Sequence, residues 1–246
     1  MIKGVRNRIK KLFVGFTLLS LEVVILLIIF GGALVAFIFI AEEIFKDNKR
    51  GFDLQAFNFL SGFVSVVNTN VMEFFTFLGT HTFLIPANLL LVAYFLFIKK
   101  HRWYSISIPV ISLSSLLLML SLKYIFHRNR PLTPLLEKAR GYSFPSGHAL
   151  MSFTFYGLLI YLVWLYVKNL WLKWLLIITL ALLIFAIGLS RVYLRVHYAS
   201  DVIAGYCVGC MWVLLSLWIL NKVEKFSRKK VDPVIETDTK PFANNS

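Results

Sequence analysis

The chain has 246 residues, 59% of them hydrophobic and only 15% charged, with a formal net charge of +14 and a mean hydropathy of +0.76. These totals exclude an ordinary water-soluble domain and indicate a polytopic membrane protein. The positive balance does not mark a nucleic-acid binder, because the cations sit in clusters that flank apolar stretches.

A bilayer-crossing helix needs roughly 20 apolar residues, and the sequence offers six such stretches, at about 18–40, 71–98, 104–122, 149–167, 170–189 and 202–220. The predicted fold class is therefore all-α, with six transmembrane helices. The first stretch follows MIKGVRNRIKKLF, a basic flank that could also open a cleaved signal peptide, whose apolar region is about 7–15 residues. Residues 18–40 are too long for that and read as an uncleaved anchor. Segment 41–70 mixes Glu42, Glu43, Lys46, Asp47, Lys49 and Arg50 with Phe52, Leu54, Phe57, Phe59 and Leu60. It predicts a charged turn and then a helix lying along the interface, able to cap a site or merely to connect.

Lys3, Arg6, Arg8, Lys10 and Lys11 precede the first span. Lys99, Lys100 and Arg102 separate the second and third, Lys168 and Lys173 the fourth and fifth, and Lys222, Lys225, Arg228, Lys229 and Lys230 follow the sixth. With six spans all four clusters fall on one side, which the positive-inside rule makes the cytoplasm, together with both termini. Residues 1–228 then form one membrane domain. The tail 229–246 carries two prolines and few large apolar residues and is expected to be disordered. Cys207 and Cys210 are the only cysteines, too few for a disulfide framework or a four-cysteine zinc site. Gly205 and Gly209, interleaved with them, suit close helix packing in lipid.

The segments 123–148 and 190–201 face the other side and are crowded with polar groups. In SRVYLRVHYASD, residues 190–201, His197 and Asp201 are four apart. If helical, they share a face, and the carboxylate can fix the tautomer of the imidazole and leave its other nitrogen nucleophilic. Equally, the pair can be a polar cap on a transmembrane helix. In KYIFHRNRP, residues 123–131, Lys123 and Arg130 lie near two helical turns apart, ahead of a helix-stopping proline. They can converge on a phosphoryl group or anchor the interface. In GYSFPSGHALMS, residues 141–152, Pro145, Ser146 and Gly147 form a turn into a helix whose free N–H groups suit an anion. His148 beside it is either a proton donor to a leaving oxygen or a simple interfacial residue.

Together the three stretches, with Lys123, Arg130, Pro131, Pro145, Ser146, Gly147, His148, Ser190, Arg191, His197 and Asp201 in order, resemble the type 2 phosphatidic acid phosphatase family, which shares its site with the vanadium haloperoxidases. The resemblance covers roughly residues 123–201. It implies a metal-independent phosphatase with no cofactor, in which His197 attacks phosphorus, Asp201 orients it and His148 protonates the leaving oxygen and then activates water. Lys123, Arg130, Ser146, Gly147 and Arg191 would hold the phosphate oxygens. It further implies a bacterial inner-membrane enzyme with its site facing the periplasm or exterior. Its partners would be the bilayer and a lipid phosphate, with no nucleic acid. Candidate substrates are undecaprenyl pyrophosphate, phosphatidylglycerophosphate, phosphatidic acid and a lipid A phosphate, with a lean towards pyrophosphate. The alternatives are a phosphotransferase that passes the phosphate to an acceptor lipid and a non-catalytic anion or lipid transporter. His127, Arg128 and Arg195 read as solvated-face residues. Arg140 and Tyr142 could meet a second phosphate or serve packing, and Thr80 and His81 could line the mouth or sit at the interface.

Overall fold

A computed structural model describes residues 2–46, 51–135 and 141–230. Its elements are α1 (Ile2–Phe45), α2 (Gly51–Ser61), α3 (Val66–Leu78), α4 (His81–Ala93, prolonged by a π-wound turn Tyr94–Ile98), α5 (Arg102–Phe126), α6 (Gly147–Tyr166), α7 (Leu170–Tyr193) and α8 (Ala199–Lys230). Six helical stretches are long and apolar enough to cross a membrane: Val23–Phe45, His81–Ile98, Arg102–Phe126, Gly147–Tyr166, Leu170–Tyr193 and Ala199–Phe226. The all-α, six-span expectation therefore holds.

One boundary differs. The single span expected over 71–98 is two helices, because α3 stops at Gly79 and α4 starts behind Thr80. The break has a packing cause. A Cβ at Gly79 would lie 2.6 Å from Ile187 Cγ2 and 2.9 Å from Ser152 Oγ, so the chain here passes against α6 and α7 with only glycine to spare. Thr80 and His81 fall at this break, with the His81 side chain exposed. Segment 41–70 does contain the expected helix, α2. Asp47, Lys49 and Arg50 of the expected charged turn, Arg140, and the tail beyond Lys230 lie outside the described residues.

Helix α6 packs against both α7 and α8, while α1 runs along α8, α3 along α7 and α4 along α5. Glycine sets the α6–α8 approach: a Cβ at Gly205 would be 2.8 Å from the Ser146 carbonyl oxygen, and one at Gly209 would be 2.8 Å from Phe153 Cβ. That matches the small-residue packing read from the sequence. Leu27, Leu90, Phe97, Leu117 and Leu175 stay exposed on the outside, as a surface solvated by lipid requires. The polar ends of α5, α6, α7 and α8 meet at one end of the bundle. Three aromatic rings from α1 and α5, Phe37, Phe45 and Phe126, pack around Phe144 there at centroid distances of 4.9–5.8 Å.

Candidate active site

Local structure delivers each side chain differently. Helix α5 ends at Phe126, where His127 adopts a left-handed conformation, φ 47°, so Arg130 lies in the irregular chain beyond and not on the helix that carries Lys123. The two still converge. Lys123 Nζ donates to the Tyr142 carbonyl at 2.6 Å and Arg130 Nε to the adjacent Gly141 carbonyl at 2.9 Å. Ser146 caps α6, its Oγ accepting from the Ala149 N–H, as the turn chemistry predicts. The stem of Lys123 lies against Gly147, where an added Cβ would be 3.7 Å from Lys123 Cε.

His197 sits in the turn between α7 and α8, and Asp201 in the first turn of α8. They are not on one continuous helix, yet they pair: His197 Nδ1 is 3.5 Å from Asp201 Oδ2. The same carboxylate oxygen accepts from Ser143 Oγ and from the Tyr198 N–H at 3.0 Å, so it faces the ring and also serves a backbone N–H just ahead of α8. On the other side of the ring, Arg130 Nη1 lies 3.1 Å from His197 Nε2 and 2.8 Å from the Val196 carbonyl. An arginine can only donate, so Nε2 is the unprotonated acceptor and Nδ1 carries the hydrogen. Burial pushes the His197 imidazole down to about 4, against the opposing pull of Asp201, and also lowers Arg130. The ring is neutral at physiological pH, with its lone pair turned towards the cations.

His148 completes the cup. The cations that act on it are Arg191, Arg130 and Lys123, and its Nε2 is buried with no hydrogen-bond partner among the described residues. Arg191 Nη1 donates to Thr76 Oγ1 at 2.8 Å. Lys123, Arg130, Ser146, Gly147, His148, Arg191, His197 and Asp201, drawn from three separate stretches, thus come together at one end of the bundle.

Sequence reasoning missed several neighbours. Arg128 is not on a solvated face: its side chain is 9% exposed and forms ion pairs with Asp53 and Asp201, lying 4.1 Å from the Tyr198 ring centroid. Its spacing, two before Arg130, carried no periodic signal because the backbone there is irregular. Asp53, the lone acid in the apolar α2, was the available clue. Ser143 and Thr76 gave none. His127 is exposed, as expected, and Arg195 half-buried. Tyr142 contributes its carbonyl to Lys123 and its ring to an edge-to-face contact with His127, 4.5 Å between centroids.

A helical membrane bundle that gathers two histidines, a carboxylate and several cations at one rim is built for phosphoryl transfer, which asks mainly for positioning and charge neutralisation. The family model described as the PAP2 superfamily matches residues 104–225. A phosphatidylglycerophosphatase B of Bacillus subtilis (strain 168) is 30% identical over 164 residues, 65% of this chain and 78% of that protein. An undecaprenyl-diphosphatase of Sulfolobus acidocaldarius is 32% identical over 190 residues, 73% of this chain and 86% of that protein. The crystal structure of a transmembrane PAP2-type phosphatidylglycerolphosphate phosphatase from Bacillus subtilis matches with a TM-score of 0.70 and 26% identity, covering 79% of this chain and 96% of the other. The protein is an integral-membrane hydrolase of the phosphatase class. The chain belongs to the PAP2 superfamily.

Proposed function

We propose that this enzyme hydrolyses the terminal phosphoryl group of a membrane lipid phosphate or diphosphate through a phosphohistidine at His197. The observation that carries the reading is the polarity of that ring: Nδ1 faces Asp201 and Ser143, and Nε2 faces Arg130. The Nε2 lone pair attacks phosphorus, the bond from phosphorus to the leaving oxygen breaks, and His148 gives that oxygen a proton. Water then attacks the phosphohistidine, yields its proton to His148, and the nitrogen–phosphorus bond breaks to release phosphate. Lys123, Arg130, Arg191, Ser146 and the Gly147 N–H hold the three equatorial oxygens throughout. No step calls on a metal.

Two relatives are named for phosphatidylglycerophosphate and undecaprenyl diphosphate, substrates that share a terminal phosphoryl group on a lipid anchor. We read this chain's substrate as one of that kind, the diphosphate first. The four basic clusters, including Lys99 and Lys100 at the end of α4 and Lys168 beyond α6, favour a cytoplasmic side opposite the site. They support an active site facing the exterior of the inner membrane.

The test is purified protein in detergent, assayed for phosphate release from undecaprenyl diphosphate, phosphatidylglycerophosphate and phosphatidic acid, with and without chelator. His197→Ala abolishes turnover, and wild-type enzyme quenched in alkaline detergent retains label from a 32P-terminal substrate, which acid then releases because a phosphoramidate is acid-labile. Turnover that survives the substitution refutes the nucleophile, and loss on chelation refutes the metal-free route. Label moved to an added acceptor lipid instead of water would identify a phosphotransferase.

A further inference from the structure

Asp53 has no part in the chemistry above, yet it is 2% exposed on a helix whose neighbouring Phe52 and Leu54 are 56% and 55% exposed. Ala56, Phe57 and Leu60 already pack α2 against Ala149, Val192, Ala199 and Val202. Docking the helix therefore does not require a buried acid, and buried ion pairs are poor stabilisers next to apolar substitutes of similar size. What Asp53 holds is specific. Its Oδ2 accepts from Arg128 Nη2 at 2.7 Å and from Ser200 Oγ at 2.8 Å, and its Oδ1 from the Ser200 N–H at 2.9 Å. Arg128 Nη1 in turn donates to Ser200 Oγ and to Asp201 Oδ1.

That arrangement poses an electrostatic problem and solves it. A phosphorylated imidazole gains positive character, and Asp201 behind the ring is the group placed to stabilise it. Arg128, bound to the same carboxylate, would by itself cancel that charge. A second carboxylate on the other prong of the guanidinium returns the trio to a formal charge of minus one. We propose that Asp53 is a positioning residue for the phosphoryl-transfer step, acting through Arg128 and Ser200 to keep Asp201 aimed at His197 and the cluster behind the ring negative. This deepens, and rests on, the phosphohistidine reading.

The experiment uses the full chain in detergent with phosphatidylglycerophosphate in mixed micelles as the probe. Asp53→Asn lowers kcat about tenfold with KM within about twofold, the scale of one charge acting across a site of effective dielectric about 20. Asp53→Asn combined with Arg128→Met removes both charges, leaves Asp201 to face the ring alone, and restores kcat to within about threefold of wild type. A purely structural tether gives the opposite, with the double variant at or below the single. An unchanged kcat in Asp53→Asn, a change confined to KM, or a double variant no better than the single overturns the proposal. Should Asp53→Asn fail to accumulate as monodisperse protein, the double variant is compared with Asp201→Asn: activity well above it supports the proposal, and equal activity overturns it. Turnover in His197→Ala brings down the phosphohistidine reading itself. An inactive His197→Ala beside a fully active Asp53→Asn brings down only the role of Asp53.

Discussion

Gly79 lies at the break between α3 and α4 with its φ at −99°, a backbone that alanine adopts without strain. Gly79→Ala therefore tests space alone. The added methyl carbon would stand 2.6 Å from Ile187 Cγ2, 2.9 Å from Ser152 Oγ and 3.3 Å from His148 Cδ2. Non-bonded carbons prefer about 3.5–4.0 Å, so roughly 1 Å must be found at Ile187 and a few tenths at the His148 ring. Ile187 is fully buried and cannot yield. Overpacking of this kind costs about 1–3 kcal/mol, offset by about 0.4–1 kcal/mol of entropy that alanine removes from the unfolded chain. The net loss is at most about 2–3 kcal/mol, which leaves the protein folded. Catalysis suffers too, because a misplacement of about 1 Å can cost on the order of a hundredfold and one of a few tenths a correspondingly smaller factor. The assay compares kcat on a lipid monophosphate, whose alkoxide needs a proton to leave, with kcat on p-nitrophenyl phosphate, whose phenolate does not. The expected result is a fall of about 3–10-fold on the lipid and a smaller one on the aryl ester. Equal losses on both, or full activity on both with an unchanged melting temperature, would refute the placement of His148 as proton donor and of Gly79 behind it.

Other outcomes follow from the same geometry. The free imidazole titrates near 6.5 and that of His197 near 4, so between those values only the unfolded chain takes the proton. Stability is then fully present above pH 6.5 and falls by about 3 kcal/mol as the pH drops to 4; thermal melts of wild type and His197→Gln in detergent should diverge over that window, and parallel melts would contradict it. Orthovanadate, a phosphate mimic, should inhibit the enzyme, and Thr76→Val, which leaves Arg191 Nη1 without its 2.8 Å acceptor, should weaken that inhibition by about 10–150-fold, the worth of one hydrogen bond to a charged group at about 1.5–3 kcal/mol. Gly205→Val drives side-chain atoms into the Ser146 carbonyl and Ala149 Cβ, and should cost at least about 2 kcal/mol with loss of activity; a wild-type melt would show that the α6–α8 contact is looser than described.

Much of this protein can be read from its sequence, for identifiable reasons. Long apolar runs announce membrane helices because a helix satisfies its own backbone groups within one segment in lipid, and Ser146 after Pro145 announces a helix start because its hydroxyl serves the N–H that the helix leaves free. Hydropathy failed at Gly79, since an apolar average over 71–98 is blind to a close approach by Ile187 and Ser152, side chains more than 70 residues away. The same limit hid Arg128. Its partners Asp53 and Asp201 lie 75 and 73 residues distant, and a cation next to Arg130 looks solvated until the fold supplies the acids. The His197–Asp201 pair was legible by spacing, but the helix that spacing suggested begins only at Ala199. The proximity survives because Asp201 reaches back over the turn.

The grip of Lys123 on the Tyr142 carbonyl and of Arg130 on the Gly141 carbonyl makes these two cations something other than bare charges awaiting an anion. Each already has a backbone oxygen as its companion, so any newcomer must outbid a dipole before it gains a cation. A singly charged ion such as chloride wins little by that exchange. A doubly charged phosphoryl group with three oxygens can replace both carbonyls at once and still engage Arg191. On the phosphoryl-binding role proposed above, discrimination against small monovalent salts would follow from the loop after Arg140, ahead of any bond making or breaking.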